Sequence, residues 1–226
     1  MPELNNNESE PEIESSPTGI LSENPDKIFT CINVDINNLS PLNSFFDQVF
    51  IINLPNRIDR REEMVKKLTR LNIRAEFFPA ENGYSKSNLI EFKKYFTSPI
   101  NVEEAHEMEI KLKRKVITSP GAWGILKTYH NLISVAKNRN YKKILCLEDD
   151  VIFARDFDEM FNNSSRLIPD NWKLIYLGAS QHSWEENVDL VTPKNVFSGH
   201  EPLRYYFPLN TDGAFAIGIR NTIFDQ

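Results

Sequence analysis

Hydrophobic and polar positions along this chain follow two periods, one typical of buried strands and one typical of amphipathic helices. Short apolar runs predict strands at residues 49–54, 73–79, 144–147, 172–177 and 214–219. Helical spacing of apolar positions predicts helices at residues 57–68, 88–96, 102–115, 123–136 and 156–167. A strand, a helix and a second strand follow one another within about 30 residues, and such a unit implies parallel pairing. The pattern therefore predicts an α/β fold built on a parallel sheet.

The N-terminal part of the chain lacks this pattern. Residues 1–27 are rich in Asn, Glu, Ser and Pro and contain few apolar residues. Such a segment cannot offset the entropy of ordering itself, so we predict a disordered polar leader. Residues 28–45 are predicted to be a linker with a candidate strand at 28–35, which the polar run ending in Ser40-Pro41 stops. The folded domain is expected to occupy residues 46–226.

Three consecutive carboxylates, Glu148, Asp149 and Asp150, follow the apolar run at residues 144–147. The apolar pattern resumes at once with Val151, so these residues are not part of a solvated acidic tail. In an open α/β sheet, ligands bind at the carboxyl ends of the strands. Adjacent carboxylates repel one another unless a cation neutralises them, and Mg²⁺ or Mn²⁺ prefers such oxygen ligands. The alternative is an acidic turn or helix N-terminus, where Asp and Glu are also favoured, and the triplet alone leaves both interpretations open.

Two groups of basic residues and one pair of glycines are further candidates for contact with a ligand. Arg57, Arg60 and Arg61 can meet a phosphate or a nucleotide, but pairing with the acids of their own helix is the favoured interpretation from the residues alone. The basic run at residues 111–115 is interpreted as a solvated helical face that can also attract an anionic ligand. Gly121 and Gly124 are one helical turn apart, which predicts that a backbone or ligand approaches closely there.

Composition narrows the class of protein. The chain has 226 residues, is 40% hydrophobic and carries a net charge of -6, which suits one α/β domain and argues against nucleic acid as the main partner. No apolar run approaches the roughly 18 residues of a membrane span, and no basic-then-apolar signal sequence is present, so we expect a cytoplasmic protein. Cys31 and Cys146 are too few for a disulfide framework and are expected to be reduced thiols.

Six short motifs in order resemble glycosyltransferase family 25, which includes bacterial lipopolysaccharide galactosyltransferases and collagen galactosyltransferases. Residues 49–54 followed by Arg57, Asp59 and Arg60 resemble the family's opening signature. Leu147-Glu148-Asp149-Asp150-Val151 matches its "LEDDv" segment, the family's version of the Asp-x-Asp metal motif. The remaining four motifs lie at residues 78–83, 120–124, 177–179 and 213–217, so the resemblance extends over about residues 49–219.

The resemblance implies a GT-A fold, a Rossmann-like nucleotide-sugar-binding sandwich with a mostly parallel sheet and helices on both faces. It implies a metal-dependent inverting transferase that moves galactose or glucose from UDP-galactose or UDP-glucose to an acceptor hydroxyl of a glycan or protein. It assigns the Mn²⁺ (or Mg²⁺) ion to Asp150. The general base would be Asp212, for which a turn-capping role before Gly213 is the alternative. The residues expected to contact the nucleotide sugar are Asn53, Leu54, Arg57, Arg60, Glu148 and Asp149.

Two departures from the family pattern leave a second interpretation open. Where many members have a Ser-His pair, this chain has Thr128-Tyr129, with His130 one place later. The chain ends at Gln226, where family members usually continue, so parts of the site are expected to be missing or supplied by a second copy in a homo-oligomer. The alternative function is a catalytically degenerate domain that binds a nucleotide sugar or another protein. A nucleotidyltransferase is less favoured, because the sequence has no Gly-rich or Lys-bearing phosphate loop.

Overall fold

The computed structural model describes residues 34–103, 105, 107–181 and 211–225. Within them the helices are α1 (Pro41–Phe45), α2 (Ile58–Arg70), α3 (Lys86–Thr97), α4 (Glu107–Leu112), α5 (Pro120–Asn138) and α6 (Phe157–Ser165). The strands are β1 (Gln48–Asn53), β2 (Glu76–Pro79), β3 (Lys143–Glu148), β4 (Leu174–Gln181) and β5 (Thr211–Arg220). A short 3-10 helix, Asn221–Ile223, follows β5.

The strands form one sheet in the order β2-β1-β3-β5-β4. β1 runs parallel to β2 and to β3, whereas β5 is antiparallel to β3 and to β4. Four of the five strands therefore point the same way, and the predicted mostly parallel α/β sheet is confirmed. The register places Pro79 beside Asn53 and Glu148 beside Ile52, so the carboxyl ends of β1, β2 and β3 meet at one edge.

Two apolar clusters cover the two faces of the sheet, because successive strand residues point to opposite sides. Ile51 of β1 packs with side chains of α1, α2 and α6, namely Leu42, Met64, Leu68 and Phe161. Its neighbours Phe50 and Ile52 pack on the other face with Leu132 and Ala136 of α5. Helices on both faces, as expected of the Rossmann-like sandwich, are thus confirmed. Cys146 is fully buried in the second cluster, and this burial raises the pKa of its thiol.

Several predicted elements differ from the observed ones. Ser40-Pro41 begins α1 instead of only ending a strand, because the Ser40 hydroxyl caps the helix and proline suits its first position. Residues 28–33 of the candidate strand lie outside the described residues, and Val34 and Asp35 belong to no strand. The predicted helix at 102–115 is reduced to α4. The predicted buried strand at 172–177 was wrong in its burial, since β4 lies at the sheet edge and Leu174 and Tyr176 are exposed.

The close approach predicted for two glycines occurs at only one of them. A Cβ atom on Gly124 would lie 2.6 Å from the Glu81 carbonyl oxygen, whereas one on Gly121 would meet nothing nearer than 3.9 Å. Gly83 faces the same crossing, because a Cβ atom there would lie 1.8 Å from the Pro120 carbonyl oxygen. The first turn of α5 is therefore packed directly on the backbone that follows β2.

Candidate active site

The loop from β1 to α2 brings basic and amide side chains to the carboxyl edge of the sheet. Pro55 follows β1 and stops it, because proline cannot donate to the ladder. The chain then turns, with the Arg57 N–H donating to the Leu54 carbonyl at 2.8 Å and the Asn53 side-chain amide donating to the Arg57 carbonyl at 3.2 Å. This turn starts α2 so that Arg60, in its first turn, faces the end of β3.

Asp149 is the buried centre of the site, with only 8% of its surface exposed. Its Oδ2 accepts a hydrogen bond from Asn53 Nδ2 at 2.7 Å, and its Oδ1 accepts one from Arg60 Nη1 at 2.8 Å. A carboxylate at this depth must be paired and hydrogen-bonded to remain charged. The hydrogen bond to Asp149 is also the largest cause of the raised pKa of Arg60. These contacts tie β1, α2 and β3 together.

Asp150 and Glu148 flank this centre in different environments. The Asp150 side chain is half exposed, and its Oδ2 lies 2.8 Å from the same Arg60 Nη1 atom. Glu148 is half-buried, and burial raises the pKa of its carboxyl group, with smaller contributions from Asp150 and Asp149. The three adjacent carboxylates therefore have three distinct surroundings. Asp149 is buried and accepts a hydrogen bond on each oxygen, Glu148 is partly desolvated, and Asp150 is half exposed and paired with Arg60.

Arg57 is held outside this cluster by Asp59. Its Nε and Nη2 atoms donate to the two Asp59 carboxylate oxygens at 2.9 and 2.7 Å. This hydrogen bonding is the main reason why the pKa of Asp59 falls to about 2. The favoured prediction that the arginines pair with acids of their own helix thus holds for Arg57 and is wrong for Arg60, whose partners lie after β3. The prediction that Arg57 and Leu54 contact a nucleotide stays a prediction.

Asp212, the predicted general base, lies in β5 opposite Ser180 of β4. Its side chain lies outside what the structure describes, so its role stays a prediction. The loop between β4 and β5, with His182, Trp184 and His200, falls at residues 182–210 and also lies outside the described residues.

The donor set fits a divalent cation that is shared with a substrate. Within the described ranges, no three His, Cys, Asp or Glu side chains come together as a metal site. Mg²⁺ is usually bound through one or two carboxylates plus substrate phosphates, and the half-exposed Asp150 carboxylate, which pairs with Arg60 and lies beside Glu148, offers such ligands. Asp149 is less accessible to a cation, because it is only 8% exposed and lies between Asn53 and Arg60, which donate to its two oxygens. Among the described residues, the arrangement therefore fits a cation completed by a diphosphate better than one held by protein side chains alone.

Two features of the site escaped the sequence analysis. The side chain of Asn53 donates to Asp149, whereas the sequence predicted only a contact between Asn53 and the nucleotide sugar. A polar residue at the end of a buried apolar strand was the available signal. The second feature is a largely apolar cavity of about 670 Å³ with Asp150 in its wall. Aromatic side chains of the segment after β3 line it, namely Phe153, Phe157 and Phe161. Their spacing of four residues indicates one helical face, but nothing in it indicates a cavity.

Comparison with known proteins agrees with this geometry. A family model described as glycosyltransferase family 25 (LPS biosynthesis protein) matches residues 46–201, which include the whole Asn53, Arg60 and Asp149 cluster. The chain therefore belongs to glycosyltransferase family 25, and glycosyl transfer is the class of reaction that this membership supports. No helix in the described part of the chain has the length and apolarity of a membrane span.

Relatives with curated names include a procollagen galactosyltransferase and a protein named as inactive. The chain is 26% identical over 179 residues to a Drosophila melanogaster glycosyltransferase 25 family member, covering 76% of this chain and 27% of that protein. It is 27% identical over 145 residues to human procollagen galactosyltransferase 2, covering 62% and 22%. It is 26% identical over 176 residues to the mouse inactive glycosyltransferase 25 family member 3, covering 75% and 28%. The chain thus spans about a quarter of the length of these relatives.

Proposed function

We propose that this protein is a hexosyltransferase that moves galactose or glucose from a UDP-sugar to an acceptor hydroxyl of a glycan or protein. The proposal includes a divalent cation, Mn²⁺ or Mg²⁺. It is carried by one observation, the meeting of Asn53, Arg60, Asp149 and Asp150 at the carboxyl edge of the sheet. This edge is where open α/β sheets bind their ligands, and the residues lie within the segment that matches the family.

The cluster combines an arginine, which can bind phosphate oxygens directly, with carboxylates that can hold a cation against the diphosphate. Asp150 is the carboxylate placed to hold the cation, and Glu148 is beside it. When bound, the cation would act as a Lewis acid that neutralises the charge of the leaving diphosphate. Arg60 has further N–H donors besides the one used by the two aspartates, and a guanidinium is suited to phosphate oxygens. Asp149 and Asn53 position Arg60 instead of contacting the substrate.

The proposed reaction is a single displacement with inversion. The acceptor oxygen forms a bond to the anomeric carbon while the bond from that carbon to the UDP oxygen breaks, and the leaving electron pair stays with UDP. The acceptor hydroxyl proton passes to a carboxylate within hydrogen-bond reach. Asp212 remains the proposed base, because it lies at the start of a strand that neighbours β3 in the sheet.

Calorimetric titration of UDP, UDP-galactose and UDP-glucose, with and without Mn²⁺, tests the proposal. We expect metal-dependent binding to the wild type and its loss in Asp150→Asn. Asp170→Asn is the matched control, because it removes an exposed carboxylate in a turn remote in sequence from the cluster. Transfer to acceptor is then followed with the donor that binds best. Absence of binding by every UDP species under every metal condition would refute the nucleotide-sugar assignment.

One observation favours a second candidate, a domain that binds without catalysis. Arg60 Nη1 lies 2.8 Å from both Asp149 and Asp150, so the cation site is occupied by an ion pair unless a ligand displaces it. Inactive proteins are also among the relatives. In that case UDP-sugar would bind with the same dependence on Asp150, and no transfer to any acceptor or to water would follow.

A further inference from the structure

A second charged feature lies outside the aspartate cluster, which is formed by Asn53, Arg60, Asp149 and Asp150. It belongs to the segment of residues 80–119 that connects β2 to α5, called the excursion below. There a cleft of about 410 Å³ is bordered by three consecutive basic residues, Lys113, Arg114 and Lys115, and by an apolar floor that includes Phe96, Pro99 and Ile100. No acidic residue is among the described side chains that line it. Among the described residues, no carboxylate forms an ion pair with any of the three basic side chains. This concentration of positive charge stands out on a chain with a net charge of -6.

A buried polar pair, Tyr95 and Glu109, fixes the conformation of residues 113–117, which carry the three basic side chains and are called the basic turn. Glu109 is only 6% exposed, and its Oε1 accepts hydrogen bonds from the Tyr95 hydroxyl at 2.5 Å and from the Val116 N–H at 2.9 Å. The Tyr95 oxygen in turn accepts the Ile117 N–H at 3.3 Å. A buried carboxylate carries a desolvation penalty, so these contacts determine one conformation of the turn that follows α4.

The turn is also anchored to the rest of the domain. The Tyr95 ring stacks on Trp123 of α5 with centroids 5.1 Å apart, and Lys115 Nζ lies 4.8 Å from the Tyr95 centroid on a cation–π contact. Lys113 has a left-handed backbone, φ 52°, which bends the chain sharply where the triplet begins. Lys113 and Arg114 remain exposed to solvent. The cleft is therefore a preformed site with two available cations and a third held against an aromatic ring.

Both ends of the excursion lie at the edge of the sheet that carries the aspartate cluster. It leaves from β2, whose last residue Pro79 pairs with Asn53, and it returns through Pro120, which contacts Gly83. Because α5 runs back across the sheet to the start of β3, its N-terminus lies at the carboxyl edge. The segment that carries the cleft is therefore attached to the sheet at the edge where the donor site lies.

We propose that this cleft binds the phosphate monoester of a sugar-phosphate group on the acceptor. The inference rests on the proposed transferase function and adds an acceptor class to it. A phosphate monoester carries about two negative charges at neutral pH, which two or three cations neutralise, and an Arg with adjacent Lys residues suits its oxygens. The apolar floor would pack against the sugar ring, and the volume is within the range of small-molecule sites.

The experiment is calorimetric titration of the full chain with glucose 6-phosphate, glucose and inorganic phosphate. We expect glucose 6-phosphate to bind more tightly than either of the others. Lys113→Gln/Arg114→Gln should weaken it by roughly tenfold or more, as removal of two charge-assisted hydrogen bonds predicts. The matched control, Lys93→Gln/Lys94→Gln, removes two exposed charges from α3 that do not line the cleft and should leave the affinity unchanged. Far-UV circular dichroism and thermal melts verify that both variants fold.

Each other result overturns a defined part of the proposal. Equal weakening by both double variants would mean that only the general charge of the excursion matters. Inorganic phosphate binding as tightly as glucose 6-phosphate would exclude the sugar as part of the ligand. UDP titrations separate the two sites: the cleft variant should bind UDP normally, and Asp150→Asn should bind glucose 6-phosphate normally. Absent glucose 6-phosphate binding with intact UDP binding refutes the cleft alone, whereas the reverse refutes the donor assignment alone.

For the transfer reaction, the expected signature of the cleft variant is a higher KM for a phosphorylated acceptor with an unchanged KM for the UDP-sugar. A fall in kcat at unchanged KM would contradict a role in acceptor binding.

Discussion

Substitution of Arg60 should lower the stability of the protein far more than substitution of Arg57, although both residues lie where α2 begins. Arg60→Gln removes one of the two side chains that donate to Asp149, which is only 8% exposed, and leaves Asn53 as its remaining donor among the described side chains. Removing one partner of a fully buried pair costs about 3–5 kcal/mol. The Arg60 side chain is 37% exposed, so solvent screening reduces this, and we expect a loss of about 2 kcal/mol in the free energy of unfolding. Arg57→Gln breaks a solvent-exposed pair and should therefore reduce the free energy of unfolding much less than Arg60→Gln does.

The assay is urea unfolding followed by tryptophan fluorescence and circular dichroism, with both variants measured beside the wild type. A double-mutant cycle with Asp149→Asn isolates the pairwise term, since residues in one ion-pair network couple. We expect clear coupling between Arg60 and Asp149. Equal losses for Arg57→Gln and Arg60→Gln, or a coupling energy near zero, would refute the reasoning that Asp149 is a buried structural charge which Arg60 stabilises.

Two further predictions use the same kind of paired comparison. Gly124→Ala should destabilise the protein by about 1–3 kcal/mol, because its new methyl group meets the Glu81 carbonyl. Gly121→Ala on the same helix should be neutral or slightly stabilising, because its methyl group has room. Similar melting temperatures for the two variants would contradict this. An NMR titration should place the pKa of Asp59 near 2, and Arg57→Gln should return it towards about 3.9. Because the folded-state pKa is lowered, the stabilisation from Asp59 is present above its unfolded pKa and is lost as the pH falls towards 2; an unchanged Asp59 midpoint in Arg57→Gln would show that the pair does not form in solution.

The local pattern of apolar residues was sufficient to predict the central strands of this fold and two of the helices that cover them. β1 and β3 are apolar runs that are buried on both faces, and such runs can be satisfied only between two layers of helices. The helical period of α2 and α5 likewise shows in the sequence, and both helices were predicted within a few residues of their observed bounds. The family resemblance, carried by short motifs at the ends of these elements, was confirmed by the family match.

Elements whose form depends on partners distant in the sequence were predicted less well. α1 is a helix of only five residues, and its stability comes from Leu42 in the core and from the Ser40 hydroxyl, which donates to Asp158 at 2.5 Å. β4 has the residue pattern of a buried strand, yet it lies at the sheet edge because β5 pairs with β3 in its place. Strand order depends on how the layers close, and the local pattern does not contain it.

The order of residues along the chain is enough to place three carboxylates at the end of one buried strand and arginines just after another. It could not rank Glu148, Asp149 and Asp150, since adjacent residues of like charge are equivalent until their neighbours are known. In the folded chain Asn53 and Arg60 both donate to the buried Asp149, whereas Asp150 is half exposed and pairs with Arg60. The physical reason is that burial and hydrogen bonding set the role of a charged group, and both come from residues nearly a hundred positions away in the chain.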